Sequence, residues 1–546
     1  MKEKMLRIIP LGGLGEIGKN MMVYEFGGDI LVVDSGMAFP ENDLLGIDYI
    51  IPDIQYLREN RKKVRGIVIT HGHEDHLGAI AHVVEELEAP IFTTPLTRGL
   101  MEVKLARKGL LKGVKINTVQ AGEGKKIGVF QVEFFHVSHS IPDSVGLGIQ
   151  TPVGLIVHTS DYKFDQTPVD NWPTDFAKLA EFSKRNVLVL LSDSTNSVKP
   201  GWTASERVVD GAFEEEFRKA PGRIIIASFA SLISRMQQAA NAAARHGRKI
   251  AFAGTSMIDN AKIARKMGYL DIPDEMFVRP DKIQSIPDDK LVIMCTGTQG
   301  EPTSIMGRLS RGTNRIFDLK PDDTVILSSQ IIPGNEEKVF QVINRLFQQV
   351  ANVVYEQVAP VHVSGHASQE EMKLMINLVK PKFFMPIHGE LRHLVQHGRL
   401  AQQLGIAKEN IVIVENGQVV EVGKTQIALN GRVPTGAILI DSTGKVDIEP
   451  SIIREREILS REGVVLVNLT VDSATGKVFD DPEIITRGFI LAGESNKLFS
   501  TAQKEIKEAA SRTNNNLQRD VESAVRKYIY DETQRSPYVL VTITKI

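Results

Sequence analysis

The stretch VRGIVITHGHEDHLGAI, residues 64 to 80, sets the tightest limit on how this chain can fold. Its short β-branched apolar run reads as a buried strand, and LGAIAHVVEEL after it reads as an amphipathic helix. Between the two, His71, His73, Asp75 and His76 fall within six consecutive positions. A loop at a strand end can turn several side chains towards one point. Neutral imidazole and carboxylate are the ligands zinc accepts where thiolates are absent. His71 and His73, one residue apart, can face one metal ion, and Asp75 and His76 are then placed for a neighbouring one. A solvated polar turn explains one or two such residues but not the whole H-x-H-x-D-H pattern.

Thiolates are in fact scarce. The single cysteine, Cys295, lies in the strand-like KLVIMCTGTQG and reads as a small core residue, so nitrogen and oxygen must hold any metal. At 546 residues the chain is too long for one core and calls for two to four domains. With 42% hydrophobic and 24% charged residues it has the composition of a globular protein. A net charge of -2 gives no global attraction to nucleic acid, so an RNA or DNA substrate would need a locally basic groove. No apolar run approaches the roughly 18 residues that span a bilayer, and the start, MKEKMLRIIPLGGLG, has too short an apolar stretch for a secretory signal. A cytoplasmic protein without membrane association is expected.

Along the first 200 or so residues, short β-rich runs such as DILVVDSG, FQVEFFHV and NVLVLLSDS alternate with turns and a few helices, which predicts a sheet-centred α/β domain. From Thr203, whose TASE reads as a capping box closed by Glu206, strands are separated by amphipathic helices up to residue 356, which predicts a parallel βαβ layer. New histidines at strand ends over 357–436 suggest that the first domain resumes. A connector is expected at 437–455 and a small α+β domain at 456–546, where VVLVNLTV and the last strand, YVLVTITKI, offer edges for a dimer sheet. GLGEIG at 13–18 matches the dinucleotide-binding G-x-G-x-x-G, but it is followed by two strands and a GGD turn, not by a helix. It reads as a glycine-rich loop that bends sharply or approaches something closely.

The H-x-H-x-D-H spacing followed by LGA resembles the signature of the metallo-β-lactamase superfamily. The superfamily's remaining ligands are expected at later strand ends. HVSHSIPDS supplies His139, with His136 as the second choice; VHTSD supplies Asp161; FMPIHGE supplies His388. The resemblance implies that His71, His73 and His139 hold a first zinc, that Asp75, His76 and His388 hold a second, and that Asp161 bridges them. It also casts Asp34, in VVDSG, as the residue that orients ligand histidines from behind. Two such ions roughly 3.5–4 Å apart acidify a water and neutralise charge on a phosphorus centre. The cluster alone does not choose between lactam, thioester and phosphodiester.

A layer of this size between Asp161 and His388 resembles the β-CASP nucleases, in which the insertion closes over the metal centre as a channel for a polynucleotide. In HVSGHAS, Gly365 lets the backbone approach a ligand, and in IIIASFASLISRMQQ a strand enters a helix near Ser231, which is suited to an anion. An ordinary N-cap explains Ser231 equally well. Taken in order, PLGGLGEIGKN, HGHEDHLGAI, HSIPDS, SDSTNS, GTQGEP, HVSGHA and PIHGE are similar to the bacterial ribonuclease J family over essentially the full length.

The fold so implied is α/β: a metallo-β-lactamase αββα sandwich (1–202 and 357–436) with an inserted β-CASP βαβ domain (203–356) and a small α+β C-terminal domain. The resemblance casts His366 as proton acceptor and Asp193 as proton donor. It assigns Ser231, Leu232 and Ile233, with His362, Val363, Ser364, Gly365 and His366, to the RNA backbone and its 5′ phosphate. Leu232 stands where the family's usual FASN has a polar residue. A structural calcium site is implied at Gly46, Asp48 and Asp441, although such carboxylates often serve turns. The expected activity is two-zinc, or manganese-dependent, 5′-to-3′ degradation of single-stranded RNA with a 5′-monophosphate preference and internal cuts, by a homodimer or homotetramer that can join RNA-decay partners. A strictly endonucleolytic or DNA-acting enzyme is the alternative. So is a weakly active scaffold subunit, which would be expected to have lost metal ligands; all seven are present.

Overall fold

The computed structural model describes residues 4–546 apart from 41–43, 333, 351, 442, 445–448, 474–476, 491–494 and 513–515. Two mixed sheets face each other. The first runs, in spatial order, Ile427–Arg432, Gln418–Val422, Leu6–Gly12, Met21–Phe26, Asp29–Val33, Val64–Ile69, Ile91–Thr93 and Ile116–Thr118. The second runs Phe383–Ile387, Val187–Asp193, Leu155–His158, Val145–Gln150, Phe130–His136 and Gly124–Ile127.

The two-residue period of a strand explains why these segments are apolar almost throughout. In Asp29–Val33, Leu31 and Val33 join the core between the sheets, whereas Ile30 and Val32 join a core on the outer face. The second sheet divides in the same way: Phe134 faces inward, while Phe135 packs outward with Phe182 from helix Phe176–Lys184. With both faces of each sheet covered, polar side chains can collect only at strand ends.

The inserted layer is a six-stranded, wholly parallel sheet in the order Phe277–Val278, Lys249–Ala253, Leu291–Cys295, Ile224–Ala227, Thr324–Leu327, Asn352–Tyr355. Cys295 lies in its core, where burial pushes the thiol pKa up to about 12. The expected TASE box does not form. Helix Val208–Lys219 starts after Arg207 with no side-chain cap. The Glu206 carboxylate is taken by the buried Arg235, whose charge demands a partner more strongly than an exposed helix start does.

Residues Pro40–Tyr49 and Leu439–Ile546 form a second compact unit, so a short piece of the first 202 residues groups with the C-terminal part. Its sheet runs Glu483–Arg487, Val464–Val471, Tyr538–Lys545. Val464–Val471 is therefore central and paired on both sides, so it offers no edge for a dimer sheet. Its alternate residues Val465, Val467, Leu469 and Val471 pack with Ile506, Val521, Val525 and Ile529 of helices Ser495–Arg512 and Leu517–Thr533. The expected connector carries strand Ala437–Ile440 and the start of helix Pro450–Glu462, whose proline suits a first helical turn; its residues 442 and 445–448 lie outside the described residues. No helix among the described residues is long and apolar enough to cross a membrane.

One buried ion pair tests the inserted layer. Arg223, 4% exposed, donates Nε and Nη2 to Asp323, 1% exposed, at 2.9 and 2.6 Å. Asp323→Ala leaves a guanidinium buried without its counter-charge and is expected to cost about 3–5 kcal/mol in unfolding free energy, measured by chemical denaturation of the full chain.

Candidate metal centre

Strand Val64–Ile69 ends at Thr70, and the chain turns through His71 and His73 into the short helix Glu74–Leu77, which carries Asp75 and His76. His139 follows strand Phe130–His136, Asp161 follows Leu155–His158, Asp193 ends Val187–Asp193, and His388 follows Phe383–Ile387. Four strands of one sheet therefore deliver residues at or just beyond their ends to one rim. The candidate ligand atoms of His71, His73, His139 and Asp161 lie within 4.8 Å of one another, as do those of Asp75, His76, Asp161 and His388. Asp161 is common to both groups. His136, the second choice for the first group, is turned away: its Nδ1 bonds the Pro173 carbonyl at 3.0 Å and its ring stacks on Trp172.

Four of these imidazoles are held by the far nitrogen. His76 Nδ1 donates to Asp34 at 2.8 Å, His139 Nδ1 to the Gly365 carbonyl at 2.7 Å, and His71 Nδ1 to Thr70 Oγ1 at 3.1 Å. Thr195 Oγ1 donates to Asp193 at 2.7 Å and so accepts from His388 Nδ1, at 2.6 Å. These bonds leave Nε2 of His71, His76, His139 and His388 facing the centre. Asp34 has φ of +66° and also accepts from the Thr70 amide at 2.8 Å, which ties the aspartate to the loop it orients. Gly36 and Gly365 permit the approach. A Cβ on Gly36 would meet the Asp75 carbonyl at 1.7 Å, and one on Gly365 would meet the His139 ring at 2.7 Å. The glycine-rich loop also comes close to this rim, with the Gly15 amide donating to the Gly389 carbonyl at 2.9 Å.

The donors fit divalent cations. His71 Nε2 and Asp161 Oδ1 are buried atoms with no hydrogen-bond partner, an arrangement that costs about 1–3 kcal/mol per group unless a cation satisfies them. Electrostatics divides the centre. Burial holds His71 and His139 well below the ordinary imidazole pKa and His73 at about 4, so the first group offers neutral nitrogen. Burial also acts to lower His76 and His388, but the carboxylates, Asp161 foremost, outweigh it and raise both pKa values.

A third group joins Asp161 and His388 to Asp193 and His366. His366 Nδ1 donates to Asp193 Oδ2 at 2.8 Å, while Asp193 Oδ1 accepts from the Thr195 amide at 2.9 Å and from its hydroxyl. Burial alone would raise the Asp193 pKa, but His366 and His388 hold it below the carboxylate range. Asp193, expected as a proton donor, is thus engaged on both oxygens, by His366 and by Thr195. The segment 362–366 is anchored by Asn196, which donates to Ser364 Oγ at 2.9 Å and to the His366 carbonyl at 3.0 Å. Val363 is buried and His362 Nδ1 is a buried atom without a hydrogen-bond partner. Helix Ile233–Arg245 has Leu232, not Ser231, at its N-cap, with no side-chain cap; Leu232 is buried and so offers a ligand only its backbone. In the second unit, the Asp48 amide donates to the Ile440 carbonyl at 2.8 Å, and Asp441 accepts from Thr443 N at 2.9 Å.

The residues not foreseen are Thr70, Thr195, Asn20 and the Gly365 carbonyl. Asn20 Nδ2 lies 3.0 Å from the Asp75 carbonyl, which it bonds, and 3.2 Å from His76 Nε2. Thr195 and Asn20 stood within SDSTNS and PLGGLGEIGKN, but ordinary polar residues in loops carry no mark of a partner far away in sequence.

Comparisons with known proteins agree with this geometry. Residues 14–187 match the metallo-beta-lactamase superfamily, 221–346 the ribonuclease J beta-CASP domain, 351–414 the Zn-dependent metallo-hydrolase RNA specificity domain, and 451–546 the ribonuclease J C-terminal domain. The chain is 41% identical to ribonuclease J of Synechocystis over 98% of its own length and 86% of the relative's. The chain belongs to the ribonuclease J family. Other members of the ribonuclease J family include ribonuclease J2 of Bacillus subtilis, 39% identical over 99% of both chains, and ribonuclease J of Thermus thermophilus, 39% identical over 98% of this chain and 94% of that one. A solved protein of unknown function from Enterococcus faecalis shares the fold, with a TM-score of 0.51 and 13% identity over 77% of this chain and all of that one.

Two outcomes test the centre. Asp34→Asn removes the carboxylate that holds His76 and is expected to weaken metal binding about 10–100-fold in a chelator competition. On acidification the second group should empty first, because protons compete for the raised His76 and His388 while His73 stays neutral down to about pH 4. Metal content measured across a pH series below neutrality should fall from two ions to one before it reaches zero.

Proposed function

We propose that this chain is a two-zinc ribonuclease that degrades single-stranded RNA 5′-to-3′ from a 5′ monophosphate and also cuts internally, in RNA maturation and messenger RNA decay in the cytoplasm. The observation that carries the reading is that His366, on a segment that follows the last strand of the inserted parallel layer, joins the carboxylate–imidazole cluster together with Asp193, Asp161 and His388. The ribonuclease names of the relatives and the match to an RNA specificity domain support the substrate. His71, His73 and His139 would hold one ion, Asp75, His76 and His388 the other, with Asp161 between; manganese accepts the same donors. When bound, such ions would supply an acidified water and would neutralise charge on the attacked phosphate.

The protein's own groups do the rest. Asp193 keeps the His366 proton on Nδ1, so Nε2 is the atom free to exchange a proton with a reacting oxygen. Asp193, cast by resemblance as the donor, acts through His366. The uncapped start of helix Ile233–Arg245, reached through Ser231, Leu232 and Ile233, and the backbone of 362–366 would take the terminal phosphate. A homodimer or homotetramer, RNA-decay partners and a structural calcium at Gly46, Asp48 and Asp441 belong to the same reading.

RNAs that differ only at the 5′ end provide the test. The monophosphate should be degraded at least about tenfold faster than the triphosphate or hydroxyl form, the worth of one or two charge-assisted hydrogen bonds, with mononucleotides released from 5′-labelled RNA. Equal processive rates on all three would remove the phosphate pocket from the mechanism.

A further inference from the structure

Three charged side chains outside the metal centre lie buried together beside the residue that precedes His362. Lys163, two residues beyond Asp161, is 1% exposed, Glu206 is 5% and Arg235 is 1%. Arg235 Nη2 donates to Glu206 Oε2 at 2.7 Å, and Lys163 Nζ lies 3.5 Å from Glu206 Oε1 and from Asp165 Oδ2. Arg235 Nη1 donates to the Val361 carbonyl at 2.6 Å and also to Ser328 Oγ, while its Nε donates to Gln238 at 2.8 Å. Gln238 in turn bonds the Glu206 carbonyl at 2.8 Å, and the Glu206 amide bonds Asp165 at 2.9 Å.

The set therefore joins five segments that are distant in sequence. They are the one leaving Asp161, the entry to the inserted layer, the first turn of helix Ile233–Arg245, the end of strand Thr324–Leu327 at Ser328, and the residue immediately before His362. The two halves of the candidate phosphate pocket, at 231–233 and 362–366, are tied to each other by Arg235 and to the Asp161 segment by Glu206 and Lys163.

Stability is a poor explanation for such a cluster, because well-packed apolar side chains of similar volume are often as stable as buried ion pairs. What apolar packing lacks is direction. A guanidinium fork bonded on all its nitrogens holds its partners at one distance and one angle. We propose that Arg235, Glu206 and Lys163 are positioning residues that fix the spacing between the 5′-phosphate pocket and the metal centre, and so set the exonuclease step at one nucleotide. This rests on the exonuclease reading above. Internal cleavage, which does not use the end pocket, needs the metal centre but not this spacing.

The test uses metal-loaded full-length protein and two RNAs of one sequence, a linear 5′ monophosphate and a circle without ends. Arg235→Lys keeps the charge and loses the fork; Glu206→Gln keeps the shape and loses the charge. For both variants the linear rate should fall about tenfold or more, in line with a displacement of the order of 1 Å at a reacting centre, while cleavage of the circle stays within about twofold. The KM for the linear RNA should rise and dinucleotides should appear among the first products. Parallel loss on both RNAs, or an unchanged linear rate with mononucleotide release intact, would overturn the inference, since a purely structural role slows both substrates together. Wild-type protein that leaves both RNAs uncut would overturn the ribonuclease reading itself, and the inference with it.

Discussion

An imidazole can present one nitrogen to a metal only if the proton on the other is given somewhere to go. That constraint runs through the whole site. The far nitrogens of His71, His76, His139 and His388 are bonded by Thr70, Asp34, the Gly365 carbonyl and Thr195 in turn, and the near nitrogens face the shared carboxylates and one another. Two of these partners stand on backbone that ordinary residues avoid or cannot reach. Asp34 has a positive φ, and Gly365 lies where any side chain would strike His139. Ser160 and His388 also have positive φ, at +55° each, next to and within the second group of donors. Strain of about 1–3 kcal/mol per such residue persists only where the surroundings over-determine it, and here the surroundings are two packed sheets.

The layered architecture supplies that rigidity. Because both faces of each sheet are buried, the rim is the place where histidines and carboxylates escape a dry interior, and adjacent strands deliver them side by side. The pairing of Val187–Asp193 with Leu155–His158 on one side and Phe383–Ile387 on the other sets Asp161, Asp193 and His388 in a row. The inserted layer, entered and left through loops beside this row, brings His366 back onto Asp193 across 173 residues of sequence. The division of charge follows from the same placement: neutral imidazoles gather where burial dominates, and raised ones where carboxylates converge.

Much of this was legible in the chain. Unbroken apolar runs marked strands covered on both faces, helices between strands marked the parallel insertion, and the spacing of HGHEDH marked residues that gather in two overlapping clusters. The errors share a cause. The capping-box pattern at TASE was local, but the buried Arg235 claimed Glu206 from 29 residues away. Val464–Val471 has the alternation of an edge strand, yet alternation reports which face is covered, not how many neighbours a strand has.

By itself the sequence determined which atoms could bind a metal, since a chain with one cysteine and clustered histidines has only nitrogen and oxygen to offer, and it determined the period of the strands that carry them. The tertiary structure alone decided which donors come together, which nitrogens of His71, His76, His139 and His388 face the centre, and that Asp193 pairs with His366. Those outcomes depend on sheet register and loop approach between residues as far apart as Asp75 and His388, 313 positions away. Local spacing carries no information about a hydrogen bond whose partner arrives only when the sheets close.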